Sequence, residues 1–312
     1  MSNMKWNDRK VLITGAAGFI GINLLKRLVY LKAKVIAMDN FSTGKSIETL
    51  SKMPVDIIKA DVRKRKSIEN LPQDIDYVFH FGAPSSIILF NKDPVFALSS
   101  TICGLNNIFE FAKNTGVKKV VYPSSGSVYG TAPAPQSEHG LANPTNLYGT
   151  TKLTCEKIAM WNFDLVPSVG LRIFAGFGPG EEHKGDYASV VTIFLNCMLK
   201  NERPVIFGDG TQNRDFVYID DVVDSIVSSA EKSISNTIVN VGTGRNLKFN
   251  DVVLIINELL GKKIEPVYVP KPEKYFDYTL AETSLMKKQL GIVARSPEEG
   301  IKEYLSHLGR SK

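Results

Sequence analysis

Short apolar runs rich in β-branched residues alternate along this chain with longer stretches in which apolar residues recur every three or four positions. The first pattern suits strands covered on both faces, the second helices with one apolar stripe. Strands are expected at residues 10–14, 34–38, 55–59, 77–81, 119–122, 168–173 and 237–241. Helices are expected at 19–31 and at 98–112, where Leu98, Ile102, Leu105, Phe109 and Ala112 share one side. Such alternation is the pattern of parallel βαβ units, so the expected fold class is α/β, a doubly wound parallel sheet. From residue 175 onward the texture changes: Gly176, Gly178, Pro179 and Gly180 crowd together, and helices sit among short loop-like pieces. A smaller C-terminal lobe is expected there. Because 237–241 reads as sheet again, the first domain is expected to be discontinuous. It would comprise 1–173 plus about 216–244, with the second lobe from about 174–215 and 245–312.

Composition narrows the picture. A chain of 312 residues, 43% hydrophobic and 22% charged, has room for one large and one small core. It has no run of 18 or more continuous apolar residues, and Met1 to Lys10 is polar and leads straight into a strand-like segment, so neither a membrane span nor a targeting leader is read. Three distant cysteines, Cys103, Cys155 and Cys197, argue against a disulfide framework and against a zinc site, so no metal and a cytoplasmic location are expected. The net charge of +6 and the run Arg63-Lys64-Arg65-Lys66 raise the question of nucleic acid. No aromatics interleave with that run, which reads instead as a solvated helix face; no nucleic-acid partner is expected, and the mild basicity favours an anionic small substrate.

Gly15-Ala16-Ala17-Gly18-Phe19-Ile20-Gly21 follows the first strand and opens the first helix. Glycines let backbone approach a pyrophosphate closely, and a helix N-terminus offers unpaired N–H groups at the positive end of its dipole. Three glycines alone say little. The strand before, the helix after, and Asp39 at the end of the next strand, near the ~20-residue spacing of an acid that bonds a ribose, make a dinucleotide site of the Rossmann type. A carboxylate at Asp39 accepts the ribose hydroxyls of NAD and repels the 2′-phosphate of NADP, and Asn40 follows it without a close arginine. NAD is therefore the expected cofactor, with Lys45 as the residue that keeps NADP open. Asp61, ending the third strand, reads equally as an acceptor for the adenine amino group or as a helix N-cap before Val62.

Tyr148 and Lys152, spaced i and i+4, share one face of an expected helix. A phenol with a pKa of about 10 becomes a base near neutrality only when positive charge stabilises its anion, and an ammonium one turn away suits that purpose. Upstream, the fifth strand runs into Tyr122-Pro123-Ser124-Ser125-Gly126-Ser127-Val128-Tyr129-Gly130. Ligands of such sheets bind beyond the carboxyl ends of the strands, so a serine here is expected to bond the reacting oxygen; any one of them could equally serve its own turn.

With these pieces the chain resembles the extended short-chain dehydrogenase/reductases, in particular the NAD-dependent epimerase/dehydratase family that includes UDP-glucose and UDP-N-acetylglucosamine 4-epimerases. The likeness rests also on Asp39-Asn40, Asp61-Val62, His80-Phe81-Gly82-Ala83, Leu171-Arg172-Ile173-Phe174, Phe207-Gly208-Asp209-Gly210, Arg214-Asp215-Phe216 and Asn240-Val241-Gly242-Thr243-Gly244. It implies a Rossmann domain with a substrate-binding lobe. It also implies Ser125 as catalytic hydroxyl, Tyr148 as base, Lys152 as its partner on the nicotinamide ribose, and Gly82 and Ala83 beside the cofactor. Substrate contacts would come from Ser86, Ser125, Ser127, Val190, Phe207, Arg214 and Thr279, with Arg214 on the diphosphate and 204–208 against the nucleobase. His80 is read as structural.

The resemblance leaves the reaction to be chosen. Dehydratase-like members carry an acidic pair after the catalytic hydroxyl residue, and decarboxylase-like members a glutamate at the position of Ser127; here Gly126 and Ser127 stand there. What remains is oxidation at carbon 4, rotation of the keto-sugar and return of the hydride, that is, a nucleotide-sugar 4-epimerase. A 4-dehydrogenase or reductase of the same family, or a non-catalytic NAD-sensing protein, are the alternatives. Thr279, being small, is expected to admit N-acetylated sugars as well as plain hexoses. Three departures bear on substrate: Thr101 and Ala175 replace customary asparagines, and 272–277 lacks a second phosphate-binding arginine, with Lys271 and Lys274 nearby. Apolar residues on more than one side of 98–112 and 148–163 fit the homodimer that the family implies.

Overall fold

The computed structural model describes residues 6–44, 47–271 and 278–309; Lys45, Lys274 and the rest of 272–277 lie outside the described residues. Thirteen strands occur among them. In chain order they are β1 (Lys10–Thr14), β2 (Lys34–Asp39), β3 (Asp56–Lys59), β4 (Tyr77–His80), β5 (Lys119–Ser125), β6 (Ser168–Ile173), β7 (Ala175–Phe177), β8 (Val205–Phe207), β9 (Asn213–Arg214), β10 (Phe216–Tyr218), β11 (Thr237–Val241), β12 (Leu247–Lys248) and β13 (Val267–Val269). Seven form a parallel sheet in the order β11-β6-β5-β4-β1-β2-β3.

Alternation along the strands explains why this sheet is covered on both faces. Leu12, Ile36, Met38, Val78, Val120 and Tyr122 point into one core, and Val11, Ile13, Val35, Ala37, Phe79 and Val121 into the other. Each fully buried aliphatic side chain contributes about 1.5–3 kcal/mol, so both faces hold helices firmly. The order reverses between β1 and β4, which leaves a crevice at the carboxyl edge. Register brings the strand ends level there: Thr14 pairs with Met38 and His80, and Ser125 with Ile173.

Outside this sheet are three two-stranded pieces, β7 with β10, β9 with β12, and β8 with β13. Residues 216–218 thus pair with 175–177 rather than with the main sheet. The helix that follows, Ile219–Glu231, returns to pack on the helix Phe19–Tyr30 and on β5.

The expected helix at 98–112 is part of a longer run, Pro94–Thr115, begun by Asp93, whose Oδ1 accepts from the Phe96 N–H at 3.0 Å, and closed by Gly116 with φ +70°. Within it Ser99–Cys103 has π-helical register, and the Thr101 hydroxyl donates back to the Ala97 carbonyl at 2.7 Å. By length and composition alone this is one helix long and apolar enough to cross a membrane; half of its most apolar window is buried inside the fold.

Candidate active site

Beyond the carboxyl ends of β1, β2, β4, β5 and β6 lies a cleft of about 1130 Å³, walled on the far side by Val190, Phe207, Arg214, Phe249 and Thr279. That is somewhat above the range for a single small ligand and suits a dinucleotide beside a second molecule. Its floor is the glycine turn. Gly15 has φ +70°, and a Cβ there would lie 2.3 Å from the Phe81 carbonyl oxygen; a Cβ on Gly21 would lie 2.0 Å from that of Gly15. Only glycine allows so close a turn. Gly18 caps the helix Phe19–Tyr30 in extended conformation with no side-chain bond, so Phe19, Ile20 and Gly21 present first-turn amides beside the cleft they line. A diphosphate fits this cradle on charge and on space.

Asp39 sits on the same floor, its Oδ2 accepting from the Ala17 N–H at 2.9 Å and its Oδ1 from the Phe41 N–H at 2.7 Å. Asn40 lines the cleft beside it and holds Ser42 through Oδ1 at 3.0 Å. Val62, Gly82 and Ala83 form the facing wall. The Thr14 hydroxyl ties this wall to the sheet: it accepts from the Gly82 N–H at 3.2 Å and is hydrogen-bonded to His80 Nδ1 at 2.8 Å. Burial pushes His80 down to about 3, so the ring is neutral near pH 7. Asp61 is the one candidate that does not line the cleft. Its carboxylate is forked by Arg63 at 2.6–3.0 Å, which, with the Arg63 N–H, holds it below the usual carboxylate range. It does not cap a helix either, since the turn after it begins at Arg65 with Lys64 at the cap.

One end of the cleft is built by the helix Leu147–Trp161. Asn146 caps it, its Oδ1 accepting from the Gly149 N–H at 2.9 Å, and so fixes Tyr148 in the first turn. Lys152 lies one turn on, with Nζ 5.8 Å from the Tyr148 ring centre and donating to the Pro123 carbonyl at 3.1 Å. Ser125 is within hydrogen-bond reach of the Tyr148 hydroxyl, and its Oγ accepts from the Ser127 N–H at 3.1 Å. Ser125, Ser127, Tyr148 and Lys152 all line the cleft. Burial raises the Tyr148 phenol above its usual value and lowers the Lys152 ammonium. Without added positive charge the phenol therefore keeps its proton at neutrality; a cationic ring alongside would reverse the balance.

Behind these groups runs a buried network centred on Glu156, which the sequence motifs do not include; they hold its partners without the connection between them. One turn after Lys152, Glu156 receives the Arg172 guanidinium bidentately at 2.8 Å and the Ser124 hydroxyl at 2.5 Å. Arg172 also donates to the Tyr129 hydroxyl at 2.9 Å, and Tyr129 donates to Asn240 at 2.6 Å. The network joins the helix of Tyr148 to β5, β6 and β11. Its partners lie 16 or more residues apart in sequence, which local spacing does not reveal.

Ser86, Val190, Phe207, Arg214 and Thr279 line the other side of the cleft. Ser86 doubles as a cap, its Oγ accepting from the Leu89 N–H at 3.2 Å, and Val190 opens the helix Val190–Leu199. The Arg214 guanidinium lies 5.5 Å over the Phe249 ring. The neighbouring Asp215 is fully buried; its carboxylate accepts from the Thr243, Gly244 and Ala281 N–H groups at 2.7–3.0 Å, and its own N–H donates to Thr279 Oγ1 at 3.3 Å. Arg214 and Thr279 are thus set by one anchor. Ala175 lines the cleft without a donor side chain, Thr101 is turned into its own helix, and Lys271 packs by Gly208. A wall from Glu181 to Ser189 was not singled out from the sequence beyond its neighbour Val190; the charged cluster Glu181-Glu182-His183-Lys184 is the signal that could have found it. Among the described residues no group of three or more His, Cys, Asp or Glu could hold a metal ion.

A family model described as the NAD dependent epimerase/dehydratase family matches residues 11–242. The chain belongs to this family. A UDP-glucose 4-epimerase from Mycolicibacterium smegmatis is 33% identical over 274 residues, 84% of this chain and 86% of that one. The solved structure of a UDP-N-acetylglucosamine 4-epimerase from Methanobrevibacter ruminantium M1, in complex with UDP-N-acetylmuramic acid, matches with a TM-score of 0.89 and 30% identity, covering 98% of this chain and 99% of that one. That of a UDP-glucose 4-epimerase with UDP-glucose from Thermotoga maritima matches at 0.90 and 30%, covering 96% and 99%. As a member of the epimerase family the chain is an NAD-dependent enzyme.

Proposed function

We propose that this enzyme is a sugar-nucleotide 4-epimerase acting on a UDP-hexose or a UDP-N-acetylhexosamine. The observation that carries the reading is Tyr148, Lys152 and Ser125 converging beside the glycine cradle, with Gly126 and Ser127 where an elimination or a decarboxylation would call for acids. NAD supplies hydride acceptance and return at carbon 4. The chain's own residues do the rest. Tyr148 takes the proton of the carbon-4 hydroxyl and later gives it back, Ser125 holds the oxygen in line, and Lys152, anchored on the Pro123 carbonyl, favours the phenolate. Gly15, Gly18, Phe19, Ile20 and Gly21 hold the cofactor diphosphate, Asp39 and Asn40 its ribose, and Val62, Gly82 and Ala83 its flank. Arg214 binds the substrate diphosphate, Phe207 stacks on the base, and Thr279 leaves room at the sugar; Ser86, Ser127 and Val190 complete the wall. Residues 1–173 with about 216–244 then form the cofactor domain and the remainder the substrate lobe.

The same reading pairs two chains through the helices Pro94–Thr115 and Leu147–Trp161, where Val95 (78% exposed) and Trp161 (89%) present apolar surface. Three free thiols fit a cytoplasmic setting. The test is incubation with NAD and UDP-glucose or UDP-N-acetylglucosamine, followed by chromatography for the 4-epimer. Product should form, and Tyr148→Phe should lower turnover by about 10²-fold or more while NAD still binds. Accumulating keto-sugar with stoichiometric NADH would mean a dehydrogenase instead.

A further inference from the structure

Between Gly180 and Val190 the cleft wall carries a buried charge pair outside the roles given above. Glu181 is 1% exposed, yet its carboxylate is well provided for: Oε1 accepts from the Ser189 N–H at 3.1 Å and from Lys184 Nζ at 2.9 Å, and Oε2 from the Thr192 hydroxyl at 2.5 Å. Lys184 therefore has more to give than neutralisation. An ammonium has three donors, and among the described residues this one has a single hydrogen-bond acceptor, Glu181. Its side chain is 18% exposed, lines the cleft, and holds Nζ 4.1 Å from the centre of the Phe19 ring.

That location matters for charge. Phe19 is the first residue of the helix whose amides open on the glycine cradle, and Lys184 lies over the ring of that residue. The other lysines and arginines lining the cleft, among the described residues, are Lys92, Lys152 and Arg214. Lys152 donates to the Pro123 carbonyl one turn from Tyr148, Arg214 lies on β9 over the Phe249 ring, and Lys92 is the exposed last residue of a short helix. The Phe19 ring also approaches Gly176, next to Ala175, where no donor side chain stands. A diphosphate in the cleft on the ammonium's side of the Phe19 ring would meet it.

We propose that Lys184 is a phosphate-binding residue of this cleft, oriented by Glu181 and supported by the Phe19 ring. It rests on the nucleotide-sugar reading above. Two ligands could bring the diphosphate, the cofactor or the substrate, and titration calorimetry separates them. Wild type, Lys184→Met and Lys184→Arg are titrated with NAD, and with UDP in the presence of saturating NAD. The methionine keeps the stem packed on Phe19, and the arginine keeps the charge.

In Lys184→Met the Kd of one of the two ligands should rise at least tenfold, with the other within threefold, and Lys184→Arg should recover most of the loss. A rise for NAD assigns the cofactor diphosphate, a rise for UDP the substrate's. The proposal is overturned if both constants stay within threefold, if Lys184→Arg is as poor as Lys184→Met, or if both rise together with a lowered melting temperature, which marks a structural lysine. A fall in turnover with both constants unchanged would overturn it too and move Lys184 into the chemical step. Failure of the wild type to bind UDP or NAD at all contradicts the nucleotide-sugar reading itself and is distinguishable, since it appears before any substitution.

Discussion

Asp39 is held by the amides of Ala17 and Phe41, so its carboxylate cannot swing away from a ligand ribose. A 2′-phosphate would meet fixed negative charge in a buried place. NAD should bind at least about tenfold tighter than NADP, a difference of about 1.4 kcal/mol, by calorimetry; equal affinities would contradict this account of Asp39. His80 gives a second test at the same scale. Its folded-state value of about 3 lies below its ordinary 6.5, so between those values the unfolded chain binds a proton that the folded chain refuses. Stability must then fall as pH drops through 6.5. Relative to His80→Gln, the wild type should lose about 2 kcal/mol of unfolding free energy between pH 7 and pH 5, read from urea titrations. Residue roles of this kind were legible where the chemistry is local, as with Asp39 after the glycine turn or Tyr148 one turn before Lys152. Arg63 shows the limit: grouped with a solvated basic run, it instead forks on Asp61 and lies 4.6 Å over the Phe96 ring, because a guanidinium two residues from a carboxylate finds it before it finds water.

Strands and helices follow the hydrophobic period closely, since β1, β6 and β11 are each buried on both faces and nothing competes with that pattern. The π-helical turn at Ser99–Cys103 was invisible to it: one extra residue per turn leaves three-to-four spacing readable on both sides. The helix Leu147–Trp161 shows the other blind spot, because part of its hold on the sheet is ionic, beside the packing of Cys155 and Ala159. Glu156 and Arg172 are both nearly inaccessible, and removing one partner leaves the other charged and unsatisfied. Glu156→Ala should cost about 3–5 kcal/mol in denaturant unfolding, the usual price of breaking a buried pair. A loss below 1 kcal/mol would mean that the apolar contacts of this helix suffice.

At the scale of the whole molecule, the alternation of strands and helices announced the doubly wound sheet, and the glycine turn marked which edge carries the site. The substrate wall was less legible, because Asp215, Arg214, Thr279 and the segment from Glu181 to Ser189 come together only through the small sheets and the loops between them. One measurement tests the central claim most directly: conversion of UDP-glucose carrying deuterium at carbon 4, with NAD present at the enzyme's concentration. If the hydride leaves and returns within one closed cleft, the 4-epimer will form with the deuterium still on carbon 4 and no net change in nicotinamide absorbance. Label lost to solvent, or NADH accumulating in step with product, would contradict it.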